Sequence, residues 1–153
     1  MRAVLLGATT GMGRAIARLL AERGETLFLL GNEPDALSRS AADLEARHPH
    51  RASVGTAVCD LERPETFASA LDAADASLGG FDTVIVTAAM FATQEILEGD
   101  LELTRRLLTV NYAHTVLFCE HVRTRLLARG GGQLTVFSSV AGDRGRKPVA
   151  LYG

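Results

Sequence analysis

The chain has 153 residues, of which 47% are hydrophobic and 22% charged: enough apolar material for one folded domain and too much for a disordered segment. Its 16 Lys+Arg against 18 Asp+Glu give a formal net charge of -2, which excludes the basic footprint of a nucleic-acid or anionic-membrane binder. No apolar run reaches the ~20 residues that span a bilayer and no signal-peptide pattern opens the chain, so a cytoplasmic location is expected, with Cys59 and Cys119 as small buried hydrophobes and no metal site.

The first element is a strand over Arg2–Leu6, followed by the turn Gly7-Ala-Thr-Thr-Gly11-Met-Gly13 and an amphipathic helix from Arg14 to Leu20. A strand, a glycine-spaced turn and a helix start form a phosphate cradle: side chains at the glycines would obstruct the turn or a pyrophosphate, which the free N–H groups of the helix start would face. A strand over Thr26–Leu30 follows, and Pro34, a favourable first-turn residue, opens a helix to about Arg47. A third strand over Ala52–Val58 ends at Cys59-Asp60. Pro64 opens a helix carrying Phe67, Leu71 and Ala74 at helical spacing and closing at Gly79-Gly80. Thr83–Val86 is a fourth strand, a long helix runs from about Asp100 to Ala128, and Gln133–Phe137 is a fifth strand.

Strands that are apolar throughout are buried on both faces, and helices between them imply parallel crossovers. The expected fold is α/β, a Rossmann-like, doubly wound parallel sheet in three α/β/α layers with strand order 3-2-1-4-5, forming a single domain over 1–153. The long helix is apolar on two sides. Leu103, Leu107, Val110, His114 and Leu117 form one stripe; Leu108, Thr115, Cys119, Val122 and Leu126 form the other. One stripe should pack on the sheet, and the other needs a second cover, a second copy of the chain in first place or an adjacent loop.

Candidate chemistry gathers at the carboxyl ends of the strands. Asp60 suits the exocyclic amine of an adenine, or serves as an acid near a helix start. Asn32 and Glu33 follow Gly31 where a dinucleotide's 2′ position would be sensed; the neutral strand end tilts towards NADP over NAD. Arg14 could neutralise phosphate or face solvent. Thr87-Ala88-Ala89-Met90 offers small residues for close approach of a nicotinamide ribose, Asn111 is polar between two apolar stripes, and Ser138-Ser139 and Tyr152 follow the fifth strand. Singly, Ser139 reads first as a helix cap and Asn111 as a satisfied core amide.

Together these residues resemble the classical subgroup of the short-chain dehydrogenase/reductase superfamily, over the whole chain from Gly7 to Tyr152. Gly7-x-x-x-Gly11-x-Gly13 resembles its cofactor loop, Asp60 its adenine-contacting Asp, and Val110-Asn111 its helix Asn. Phe137-Ser138-Ser139-Val-Ala-Gly142 resembles its serine segment, and Leu151-Tyr152-Gly153 the start of its Tyr-x-x-x-Lys motif. The resemblance implies an NAD(P)-dependent oxidoreductase acting on a small carbonyl or alcohol substrate. Tyr152 would be general acid/base, Ser139 the hydroxyl that orients the carbonyl, and Asn111 the anchor of a proton relay. Gly7, Thr9, Thr10, Gly11, Met12, Gly13, Asn32, Asp60, Leu61, Ala88, Ala89 and Val110 would hold the dinucleotide.

Three departures follow. Leu6 stands where a Thr often precedes the first glycine, and Thr87-Ala88-Ala89 replaces the usual Asn-Asn-Ala-Gly, each a small loss of supporting hydrogen bonds. The family's Lys, four residues after the Tyr, would fall beyond Gly153, and Lys147 precedes Tyr152 in a loop. Without a nearby cation, forming phenolate at pH 7 from a group titrating near ~10 costs roughly 4 kcal/mol. The expectation is therefore an N-terminal part of a longer reductase, cut after its fifth strand and inactive as it stands. The alternative is a non-catalytic dinucleotide-binding or scaffold module of the same fold.

Overall fold

A computed structural model describes residues 1–48 and 54–153. Five strands, β1 (Arg2–Leu6), β2 (Thr26–Gly31), β3 (Gly55–Val58), β4 (Thr83–Val86) and β5 (Gln133–Val136), form one parallel sheet in the order β3-β2-β1-β4-β5. The doubly wound order read from the alternation of elements is the one observed. β3 begins later than Ala52, which itself lies outside the described residues.

Alternate residues of each strand enter opposite layers. Ala3 and Leu5 of β1, with Leu27 and Leu29 of β2, meet Ala17 and Leu20 of α1 (Gly11–Glu22) and Leu37 and Leu44 of α2 (Pro34–Arg47). Val4 and Leu6, with Phe28, Leu30, Val84 and Val86, meet the helices of the other face: Phe67, Leu71 and Ala74 of α3 (Thr66–Leu78), and Phe118, Val122 and Leu126 of α6 (Thr115–Ala128). Phe67 and Phe118 are fully buried and meet edge-to-face at 5.4 Å, which locks α3 against α6.

The stretch read as one long helix is three segments: α5 (Leu101–Leu108), a π-helical turn (Thr109–His114) and α6. The Thr115 N–H and hydroxyl both donate to the carbonyl of Val110, five residues back, so one residue is inserted into the helical repeat. The buried face therefore steps from Leu107 and Val110 to Thr115, Phe118, Val122 and Leu126, while Leu108 and Leu117 stay exposed. The two-stripe assignment is corrected: it assumed an unbroken 3.6-residue period. A short helix missed by the sequence reading, α4 (Gln94–Gly99), precedes α5.

Beyond β5 the chain forms α7 (Val140–Asp143) and a 3-10 turn over Lys147–Val149. Among the described residues β5 pairs on one side only, leaving its outer edge open, and no helix is long and apolar enough to cross a membrane.

Candidate active site

At Gly7 and Gly13 the turn after β1 approaches other backbone too closely for a side chain. Gly7 adopts φ +95, and a Cβ there would lie 2.6 Å from the amide nitrogen of Ala88; one at Gly13 would collide with the carbonyl oxygen of Gly7. α1 starts at Gly11, and its N-cap residue Thr10 makes no side-chain cap. The first turn holds no acid either, so its N–H groups and positive dipole end are left for a ligand. Gly11, Met12 and Gly13 line an open cleft of about 320 Å³ at the carboxyl ends of β1, β2, β3 and β4.

All twelve residues assigned to the dinucleotide line this cleft: Gly7, Thr9, Thr10, Gly11, Met12 and Gly13 at the turn, Asn32 after β2, Asp60 and Leu61 after β3, Ala88 and Ala89 after β4, and Val110 from the π turn. Glu33 and Arg14 do not line it. Asp60 is held in place by the Glu62 N–H at 2.9 Å and by Arg63 at 3.1 Å, so its carboxylate is oriented before any ligand arrives. The loop carrying it is tied to the helices: Arg106 of α5 donates twice to Glu62, at 2.7 and 3.0 Å, and His114 of the π turn donates from Nδ1 to the Leu61 carbonyl. The Arg106 hydrogen bonds hold the Glu62 carboxyl below its ordinary range. Cys59 also lines the cleft, but burial pushes its thiol up to about 12, with Asp60 adding to the effect. It is an inert wall.

Asn111, Ser139 and Tyr152 line a second groove of about 360 Å³, which shares Ala88 and Ala89 with the cleft. The Asn111 amide is engaged at both ends: Nδ2 donates to the Met90 carbonyl and Oδ1 accepts from the Met90 N–H, both at 2.8 Å. This pins the loop after β4 to the π turn, and the second Nδ2–H and second Oδ1 lone pair stay unused beside the groove that Asn111 lines. Ser139 caps α7 by accepting the Ala141 N–H at 3.1 Å, which leaves its hydroxyl proton free to donate into the groove. Tyr152 packs edge-to-face on Phe91 at 5.0 Å, beside Leu97 of α4, and its turn is fixed by the Leu151 N–H donating to Gln94. No cation lies against its hydroxyl among the described residues; Lys147 is exposed and unpaired.

Three contributors escaped the sequence reading. The sequence predicts a lost hydrogen bond at Thr87, whereas its hydroxyl is within 3.2 Å of the carbonyls of both Leu6 and Gly7, which supplies a bond across the turn. The helical period puts His114 in an apolar stripe and gives Arg106 no role. Spacing carries no signal for either, because their partners lie 53 and 44 residues away.

The family model described as short chain dehydrogenase matches residues 1–153. An uncharacterised oxidoreductase of Staphylococcus saprophyticus is 26% identical over 150 residues, covering 98% of this chain and 63% of its own length. The cis-4-hydroxycyclohexanecarboxylate dehydrogenase of Sinomonas cyclohexanicum is 30% identical over 154 residues, covering 98% and 59%. A solved short-chain type dehydrogenase/reductase from Mycobacterium ulcerans superposes with a TM-score of 0.90 at 25% identity, over 99% of this chain and 55% of that one. The chain thus spans about six-tenths of the length of the curated relatives it matches.

Proposed function

Because this chain belongs to the short chain dehydrogenase family, we propose that it binds NADP or NAD along the glycine cleft and presents a carbonyl or alcohol to that cofactor in the adjoining groove. The observation that carries this reading is the continuity of the two spaces through Ala88 and Ala89, with the uncapped start of α1 at one end and Ser139 and Tyr152 at the other. The cofactor supplies the hydride. Ser139 donates its free hydroxyl proton to the carbonyl oxygen and polarises it, and Tyr152 gives or takes the proton on that same oxygen. Asn111 positions the loop after β4 by gripping Met90 at both its N–H and its carbonyl. Asp60 accepts from the adenine amine, and Asn32, which carries no charge to repel a 2′-phosphate, favours NADP.

Proton transfer at Tyr152 passes between phenol and phenolate in both directions, and no cation among the described residues stabilises the phenolate, so residues 1–153 alone are expected to turn over negligibly. The name of the Sinomonas relative, a hydroxycarboxylate dehydrogenase, supports the reaction class. The test is NADPH and NADH binding to this chain by fluorescence titration, joined to cofactor oxidation across a panel of ketones and aldehydes by a longer form that supplies a Lys four residues after Tyr152. Binding by the chain, with turnover of the longer form abolished in Tyr152→Phe, is the expected result. Binding with no turnover by the longer form on any carbonyl leaves the scaffold module, and no binding of either nucleotide removes the proposal.

A further inference from the structure

The segment between Ser139 and Tyr152 reads Asp143-Arg144-Gly145-Arg146-Lys147, three cations in four positions of a chain whose net charge is -2. Nine arginines elsewhere among the described residues form ion pairs with carboxylates, while Arg14, Arg23 and Arg39 are exposed singly without one. Arg144, Arg146 and Lys147 are exposed and form none, and the neighbouring Asp143 engages none of them. Exposed cations this close repel one another, and an oxyanion relieves that repulsion while accepting from the planar guanidinium fork.

Placement gives the cluster its meaning. The loop leaves α7 and returns through the 3-10 turn, and its base is drawn together: Gly153 donates to the Val149 carbonyl at 3.0 Å, and a Cβ at Gly142 would lie 2.9 Å from the Gly153 oxygen. The cations therefore sit on a short excursion anchored beside Tyr152. An open concavity lined by Val140, Arg144, Gly145 and Arg146 starts one residue after Ser139. The groove holding Asn111, Ser139 and Tyr152 is by contrast lined by Leu107, Leu108, Val136 and Phe137 and contains no charged side chain. The concavity and the groove share no lining residue, but they meet in the chain at Ser139 and Val140, so a substrate with its reacting carbon in the uncharged groove and an anion at its far end would suit the pair.

Resting on the reading of the groove as the reaction site, we propose that the substrate carries an oxyanion, a carboxylate or a phosphate monoester. Arg144 and Arg146 hold it while the carbonyl lies against Ser139 and Tyr152, and Lys147 adds an unpaired positive charge at the same edge.

Matched charged and neutral ketones test this on the chain in the presence of NADP⁺, with affinities read by ligand-observed NMR: 4-oxopentanoate against its methyl ester, and dihydroxyacetone phosphate against dihydroxyacetone. The charged member of at least one pair is expected to bind about tenfold more tightly, and the pair that shows the preference identifies carboxylate or phosphate. Arg144→Gln with Arg146→Gln, both exposed loop positions, should erase that preference and leave the neutral member unchanged, as should about 0.5 M NaCl. Equal affinity within both pairs, failure of all four probes to bind, or a preference that survives the double substitution overturns the inference. NADP⁺ affinity measured in the same samples separates the outcomes: intact cofactor binding with no charge preference removes only the oxyanion site, whereas lost cofactor binding removes the functional reading itself.

Discussion

At the scale of single residues, the cleft rests on positions where one methyl group decides the outcome. Gly13 faces the Gly7 carbonyl and the Thr87 hydroxyl, which is itself engaged with Leu6 and Gly7, so neither neighbour can retreat cheaply. Gly13→Ala is expected to destabilise the fold by about 1–3 kcal/mol, the usual cost of overpacking, and to abolish NADPH binding. Thermal melts and fluorescence titration of the same sample check both effects. Asn32 is the lever on cofactor choice. Asn32→Asp places a carboxylate where the ribose 2′ substituent should lie and should shift the NADPH/NADH affinity ratio by roughly tenfold or more towards NADH. An unchanged ratio would move the 2′ subsite elsewhere.

Elements are held in register by a few polar clamps. Asp82, just before β4, accepts the Arg2 N–H with both carboxylate oxygens at 3.1 Å and the Thr83 hydroxyl at 2.9 Å, which ties the start of β1 to the start of β4. Burial alone would push this carboxyl upward. The Thr83 hydroxyl, the Arg2 N–H and the nearby positive charges outweigh it and hold the group below its ordinary range. A carboxyl lowered on folding adds stability that is present at neutral pH and is lost as pH falls through the folded value. Asp82→Asn should therefore lower stability by about 1 kcal/mol at pH 7 and flatten the acid limb of the stability profile below about pH 4, as followed by urea unfolding at several pH values. The π turn works at this same scale. It rotates α6 relative to α5 so that Val110 reaches the cleft and Asn111 reaches Met90 while Phe118 still meets Phe67.

Across the whole molecule, the outer face of α5 and α6 carries Leu101, Tyr112, Val116 and Leu127, all exposed. An apolar helix face of this extent favours association. Sedimentation velocity at high micromolar concentration is expected to show a dimer or larger species, and Val116→Glu with Leu127→Glu, both on exposed positions, should return it to monomer. A monomeric wild-type chain overturns the expectation.

The α/β order and most of the cleft were legible in the chain because both rest on local rules. Alternate residues of β1 enter opposite layers, Pro34 opens α2, and a glycine-spaced turn between a strand and a helix start has few uses besides an anion. What the order of residues left open was settled by contacts distant in sequence. The inserted residue at Thr115 accompanies the contact of Phe118 with Phe67, 51 residues away, the grip of Asn111 on Met90 spans 21 residues, and Thr87 replaces a lost hydrogen bond by reaching across 80 residues to Gly7. A period-based reading assumes an unbroken helix and cannot register a one-residue insertion. Only the folded backbone, in which every buried polar group must find a partner, decides which face of that helix meets the sheet.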